Sequence, residues 1–190
     1  MENIIPVQLK QNNALRKKIF PVFLALGIIL IDQVTKMLVF NYIEFGTIFA
    51  EFFGGLLRIT HVWNTGAAFS FGQSFPEIVR IIILKVGPLL VLIGIMIFYF
   101  KTEEFKGMQR WWLWGIIGGG IGNIIDRFFR PGGVIDFIDV DFFDINFAGF
   151  YMTRWPVFNI ADMSIIIFGF LLCVTFIKDV WKETKNQKKT

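Results

Sequence analysis

The chain predicts an all-α integral membrane protein: a four-transmembrane-helix bundle with a small extracytoplasmic β element. Three observations carry that expectation. Hydrophobic residues make up 55% of the chain, 24 of them phenylalanine, and the mean hydropathy is +0.60, outside the habit of soluble domains. Four apolar stretches stand out, near 19–39, 79–100, 111–125 and 158–177, each close to the ~20 residues a helix needs to cross ~30 Å of hydrocarbon. Basic residues gather beside those stretches rather than on a face of their own. At 190 residues this is one membrane-embedded domain, 1–190. Its net charge of +4 is explained by topology, so no nucleic-acid partner is expected.

The first stretch follows Arg16, Lys17 and Lys18, as a signal peptide would. Its apolar part runs into Asp32 and Lys36 without a small-residue cleavage site, so it is expected to be retained. In the connection 41–78, residues 56–64 are rich in Ile, Thr, Val and Trp and predict a short strand or hairpin. Gly54 and Gly55 before it and Gly66 after it serve as turn residues. Phe45, Phe49, Phe52, Phe53 and Trp63 suit a membrane interface. The third stretch carries Gly115, Gly118, Gly119, Gly120 and Gly122; pairs of small residues four apart let a neighbouring helix approach closely. Cys173, inside the fourth stretch, reads as a small buried hydrophobe. With His61 in a loop, it builds neither a zinc site nor a Cys–His pair.

Lys10, Arg16, Lys17 and Lys18 precede the first stretch, Lys101, Lys106 and Arg110 fill the second connection, and Lys178, Lys182, Lys185, Lys188 and Lys189 follow the last. Twelve of the 19 basic residues therefore fall on one side, which the positive-inside rule assigns to the cytoplasm. Both termini are expected there, and the long connections 41–78 and 126–157 outside.

The polar residues in and beside the spans carry the chemistry. A charged group at the bilayer centre costs roughly 2.5–3.5 kcal/mol on the insertion scale, so each needs a partner or a task. Asp32 and Lys36 are four apart on one helix face and read as a structural ion pair. Arg80 can snorkel outward, whereas Lys85 sits deeper without an assigned role. Asp126 ends the third helix, where the dipole disfavours a negative charge, and Arg127 beside it is the expected charge partner in a clamp. Asn159 is placed to cap the fourth helix, with Asp162 three residues on as the reciprocal member of a capping box. That cap explains Asp162 alone; it leaves open why the preceding connection brings Asp136 towards the same surface. Asp139, Asp141 and Asp144 lack calcium-loop spacing, since Phe143 occupies the third ligand position, and read as solvated loop charge. Two carboxyls able to share a proton, Asp136 and Asp162, are what peptide hydrolysis by an aspartyl mechanism needs. A small proton-coupled transporter using Asp32, Asp126 and Asp162 as relay groups is the alternative; the chain shows no inverted repeat to support it.

Five motifs occur in order: Asp-Gln-Val-Thr-Lys (32–36), Asn-Thr-Gly-Ala-Ala-Phe (64–69), Gly-Gly-x-x-Gly-Asn-Ile-Ile-Asp-Arg (118–127), Val-Ile-Asp-Phe-Ile (134–138) and Phe-Asn-Ile-Ala-Asp (158–162). Together the set resembles the lipoprotein signal peptidases, or signal peptidase II. The resemblance implies a bacterial inner-membrane aspartyl endopeptidase, free of metal and cofactor. Such enzymes cleave prolipoproteins before a cysteine that carries a diacylglyceryl group. It implies Asp136 and Asp162 as the catalytic pair, with Asn64, Gly66, Asn123, Arg127, Asn159, Ala161, Asp32, Lys36 and Asp126 supporting the site or the bound substrate. It also implies a β-like cradle within 41–78, an active site near the outer leaflet, contact with membrane lipid, inhibition by globomycin-type cyclic peptides, and a monomer. The stretch between Asp136 and Asp162 is longer than the usual family loop, with 139–154 carrying the extra residues.

Overall fold

A computed structural model describes residues 15–66, 72, 74–142, 144–147 and 150–187. Lys10, Lys188, Lys189 and the Ala67, Ala68 and Phe69 of the second motif lie outside them. Among the described residues four long helices are present: α1 (Val22–Tyr42), α2 (Glu77–Lys101), α3 (Gln109–Phe129) and α4 (Ile160–Gln187). Three segments, Leu15–Tyr42, Glu77–Lys101 and Ile160–Gln187, are long and apolar enough to cross a membrane. The α3 helix has the length, 21 residues, but its glycines and its Asn123, Asp126 and Arg127 dilute its apolar character. Both α3 and α4 outrun the apolar stretches that predicted them. The fourth helix carries Lys178, Lys182 and Lys185 on its extension, and lysine is among the better intrinsic helix formers.

Many large apolar side chains on α1, α2 and α4 are exposed, Phe23, Leu30, Leu90, Val91, Ile166 and Phe170 among them. So wide an apolar exterior is suited to hydrocarbon. Cys173 belongs to it: the side chain is exposed rather than buried in protein, because an apolar run in a membrane helix can be covered by lipid. The protein core joins Ala25, Leu92, Tyr99, Leu113, Trp114, Ile117 and Ile124.

The α3 glycines are where helices meet. A Cβ at Gly118 would lie 2.8 Å from Ala25 Cα on α1, and one at Gly122 2.6 Å from Asp32 Oδ2. One at Gly119 would run into the Ala161 carbonyl on α4. Gly119→Ala is therefore expected to separate α3 from α4 and lower the thermal unfolding midpoint, at a cost of about 1–3 kcal/mol for overpacking. An unchanged midpoint would show that the contact yields freely.

The two long connections build one antiparallel sheet, β1 (Ile48–Phe52), β2 (Leu57–Asn64) and β3 (Val134–Val140), in that order. The β1–β2 link turns at Gly54 (φ +69°) and Gly55 (φ +93°). The strand expected at 56–64 is β2. The second connection, expected as loop, supplies β3, which starts after Gly133 (φ +92°) and pairs Asp136 with Val62. Within the lengthened stretch, β4 (Ile145–Phe147) and β5 (Phe150–Met152) form a hairpin. Arg154 ties that hairpin down. It bonds Asp139 and Asp141 at 2.8 Å each and donates to the Gly55 carbonyl at 3.0 Å, so these two aspartates are paired rather than free loop charge. Asp144 is exposed.

The sheet seats on the bundle through Val39, Ile43, Ile135 and Phe137. At the opposite end, Lys18 donates to the Phe100 and Thr102 carbonyls at the last turn of α2, and Gln109 donates to Asp179 at 2.8 Å. The start of α1, the α2–α3 connection and the tail of α4 therefore share the end away from the sheet.

Candidate active site

The site is assembled where α1, α3 and α4 meet the sheet. Its base is a buried ion cluster. Lys36 and Asp32, one turn apart on α1, bond at 2.9 Å, and Lys36 also reaches Asp126 at 3.0 Å; all three side chains are 0% exposed. The third Lys36 proton goes to Asn123 Oδ1 at 2.9 Å. An ammonium has three donors and no acceptor, so the group is fully satisfied. Asp32 also accepts the Ala161 N–H at 2.9 Å, which fixes α4 to α1 at the first turn of α4.

Asp126 is held by Lys36 and by Arg130, at 2.9 Å, with Gln33 and the Ile135 N–H completing its shell at 3.2 and 3.3 Å. The expected Asp126–Arg127 pairing is corrected: successive helical residues point about 100° apart, whereas Arg130 lies one turn on. That i,i+4 spacing was readable in the sequence by the rule that picked out Asp32 and Lys36. Gln33, inside the first motif, was overlooked altogether; its amide also donates to Asp32 and to the Gly122 carbonyl. Two carboxylates against Lys36 and Arg130 make the cluster neutral, as burial requires.

Asn123 relays this order upward. Because Lys36 can only donate, Asn123 must turn its oxygen to the ammonium, which aims its NH₂ at Asp162, 2.7 Å from Oδ1. Asn159 caps α4 as expected: its Oδ1 accepts the Asp162 N–H at 2.9 Å and its own N–H donates to Asp162 Oδ2 at 3.3 Å. The Asn159 amide then donates to Asp136 Oδ1 at 2.6 Å. Asn64, at the end of β2, donates to Asp136 Oδ2 at 2.9 Å and is itself oriented by the Gly66 N–H at 3.0 Å. Asp162 and Asp136 thus arrive from α4 and β3 at a shared network, each carboxyl held by two donors.

Asp136 is 2% exposed. Burial, reinforced by the nearby charge of Asp162, pushes its carboxyl up to about 7; hydrogen bonds from Asn64 and Asn159 and the charge of Lys36 oppose the rise. Arg127 lies in the field of Asp162, Asp136 and Asp126 without a hydrogen bond or ion pair to any of them. The predicted residues therefore divide into the two linked carboxyls, the amides that orient them, the ion cluster beneath, and Arg127 at the side. No grouping of His, Cys, Asp and Glu among the described residues is suited to a metal ion.

The sequence profile described as Signal peptidase (SPase) II matches residues 24–178, which include every residue of the site. The chain is 46% identical over 172 residues to the lipoprotein signal peptidase of Treponema pallidum, covering 90% of each chain. With that of Treponema denticola it is 46% identical over 165 residues, 87% of this chain and 92% of the other. Two solved structures, titled as bacterial membrane enzymes obtained by the in meso method at 2.3 and 1.9 Å resolution, superpose with TM-scores of 0.68 and 0.66 at 28% and 29% identity. They cover 85% and 84% of this chain, and 89% and 94% of their own. The profile spans the whole site and the relatives match nearly end to end, so this chain belongs to the signal peptidase II family.

Proposed function

We propose that Asp136 and Asp162 are the pair with which this signal peptidase removes signal peptides from diacylglyceryl-modified prolipoproteins, cleaving before the lipidated cysteine. The observation that carries the assignment is the shared network, in which Asn159 donates to both carboxyls at once, its amide to Asp136 and its backbone N–H to Asp162. Asp162, at the positive end of the α4 dipole, is the ionised base and takes a proton from water as its oxygen attacks the scissile carbonyl carbon. Asp136, protonated, gives its proton to the carbonyl oxygen. The resulting diol collapses as Asp162 passes its proton to the leaving amine, the C–N bond breaks, and Asp136 recovers a proton. Asn64, Gly66, Asn123, Asn159 and Ala161 position these groups, the Asp32–Lys36–Asp126 cluster anchors them, and Arg127 faces the substrate. No step calls for a metal or cofactor.

The reading extends to topology. With the helix ends that carry Lys18, Lys101, Lys106, Arg110 and Lys178 in the cytoplasm, α3 crosses beside the other three helices. The sheet then lies at the outer leaflet of the bacterial inner membrane, where the diacylglyceryl chains reach the site from lipid. A monomer suffices, since one chain supplies every group, and a globomycin-type cyclic peptide would compete for the same space.

The purified chain, given a diacylglyceryl-modified precursor and its unmodified counterpart, should release the signal peptide from the first alone, read by product mass. Equal cleavage of both, or of neither, would contradict the proposal. The pH profile follows from Asp136. The acid form is present below about 7, so the rate should fall as pH rises through that value. The sign carries over to stability: a carboxyl whose folded value lies above its unfolded one loses folded-state stability as pH climbs from about 4 towards 7, and no further beyond. A rate that keeps rising above pH 8 would contradict the assignment of Asp136 as acid.

A further inference from the structure

Adjoining the site, with Asn64 and Arg127 in the shared wall, lies a cavity of about 190 Å³ whose walls also include Arg80, Lys85 and Arg130 against a single acid, Glu77. Arg130 is committed to Asp126. Arg80, Lys85 and Arg127 make no hydrogen bond or ion pair among the described residues; Lys85 only approaches the Phe128 ring, 6.0 Å from its centre. Three cations thus converge on one space with a surplus of positive charge. None is used by the proposed hydrolysis except Arg127 at the border.

The local backbone explains how Lys85 gets there. It sits in the widened turn Ile81–Val86 of α2, and such π turns are frequent at functional sites. A widened turn shifts the face that the following residues present. Lys85 is eight residues past Glu77, about 12 Å along the axis at 1.5 Å per residue, so it lies below the end of the helix but within snorkelling reach of it. A lysine inside an apolar helix marks a task rather than a solvated surface.

We infer that this cavity binds the phosphodiester of an anionic phospholipid. The cavity is smaller than the ~300–1,000 Å³ of a site that engulfs a whole ligand, so it suits a headgroup whose chains stay in the membrane. Its α2 wall is formed by Glu77, Arg80, Ile81, Leu84 and Lys85, and the neighbouring Ile78, Ile82 and Ile83 of the same helix are exposed and apolar, as the acyl chains of such a lipid require. The diacylglyceryl group of the proposed substrate is joined through sulfur and carries no phosphate, so it cannot supply the anion. The bound lipid would be a second ligand beside the scissile bond, and it rests on the reading that the sheet end meets the outer leaflet.

The test uses the purified full chain in neutral detergent and native mass spectrometry, with phosphatidylglycerol and phosphatidylcholine of matched acyl chains. Wild type should retain phosphatidylglycerol about tenfold over phosphatidylcholine, what one or two basic groups contribute beside an anionic headgroup. Arg80→Gln/Lys85→Gln should retain the two equally, and the charge-preserving Arg80→Lys/Lys85→Arg should keep the preference, which separates loss of charge from loss of fold. Equal retention by wild type, or an undiminished preference in the Gln variant, would overturn the inference. So would saturable binding of inorganic phosphate that displaces no lipid, which would assign the cavity to a free ion. A cleavage defect in the Gln variant confined to precursors with an acidic residue, without any lipid preference in wild type, would give it to the substrate peptide. Lipid retention is read without turnover, so its failure is distinguishable from failure of the proposed peptidase reaction.

Discussion

Asp136→Asn and Asp162→Asn should each lower the rate of signal-peptide removal by at least about a hundredfold, the lower end of what a positioned acid or base contributes, while the protein stays folded. The substitution keeps the shape of the side chain and removes its capacity to exchange a proton. Its structural cost is bounded by the same network that defines the site. At position 136 an amide nitrogen would meet the amide donor of Asn64 or Asn159. Neither partner can simply rotate: Asn64 Oδ1 is held by the Gly66 N–H and Asn159 Oδ1 by the Asp162 N–H. A buried donor is left without an acceptor, at about 1–3 kcal/mol, in a bundle that stays anchored elsewhere by the Lys36 cluster. Rates measured per folded molecule, with folding followed by helical circular dichroism and size-exclusion elution, check this directly.

The second large effect is on stability. Lys36→Met should destabilise the protein by about 3–5 kcal/mol, the cost of leaving buried charge unpaired. Removing the ammonium leaves Asp32 and Asp126 facing each other with 0% exposure, and frees Asn123 to rotate away from Asp162. Activity should fall with the folded fraction and, among molecules still folded, with the loss of Asn123 orientation. Adding Asp126→Asn to Lys36→Met should recover part of the loss, because it removes one of the two repelling charges. A thermal midpoint in detergent that is unchanged by Lys36→Met would show that the cluster does not hold the helices together.

What the sequence revealed follows the range of each interaction. The Asp32–Lys36 pair and the Asn159–Asp162 box lie within a helical turn, and both form as the spacing predicts. The β2 strand was legible from its Ile, Thr, Val and Trp residues, because it is only half buried and keeps the composition of a sheet surface. The β3 strand was not. It is buried almost throughout, so it shows no alternation, and its motif was read for Asp136 rather than for its backbone. The meeting of Lys36 with Asp126 and Asn123, and of Arg154 with Asp139 and Asp141, depends on tertiary contacts that no local spacing encodes. Pairing Asp126 with its immediate neighbour put sequence adjacency before helical geometry.

The decisive comparison is between Asp136→Asn and Asp126→Asn, scored as single-turnover cleavage per folded molecule on the same diacylglyceryl-modified precursor. Asp126 has the firmer ionic anchoring, with Lys36 and Arg130, yet it is assigned a supporting role. Asp136→Asn should be folded and inactive, whereas Asp126→Asn should be poorly folded with most of the rate retained in the molecules that do fold. A well-folded but inactive Asp126→Asn beside an active Asp136→Asn would contradict the account and move the chemistry into the buried cluster.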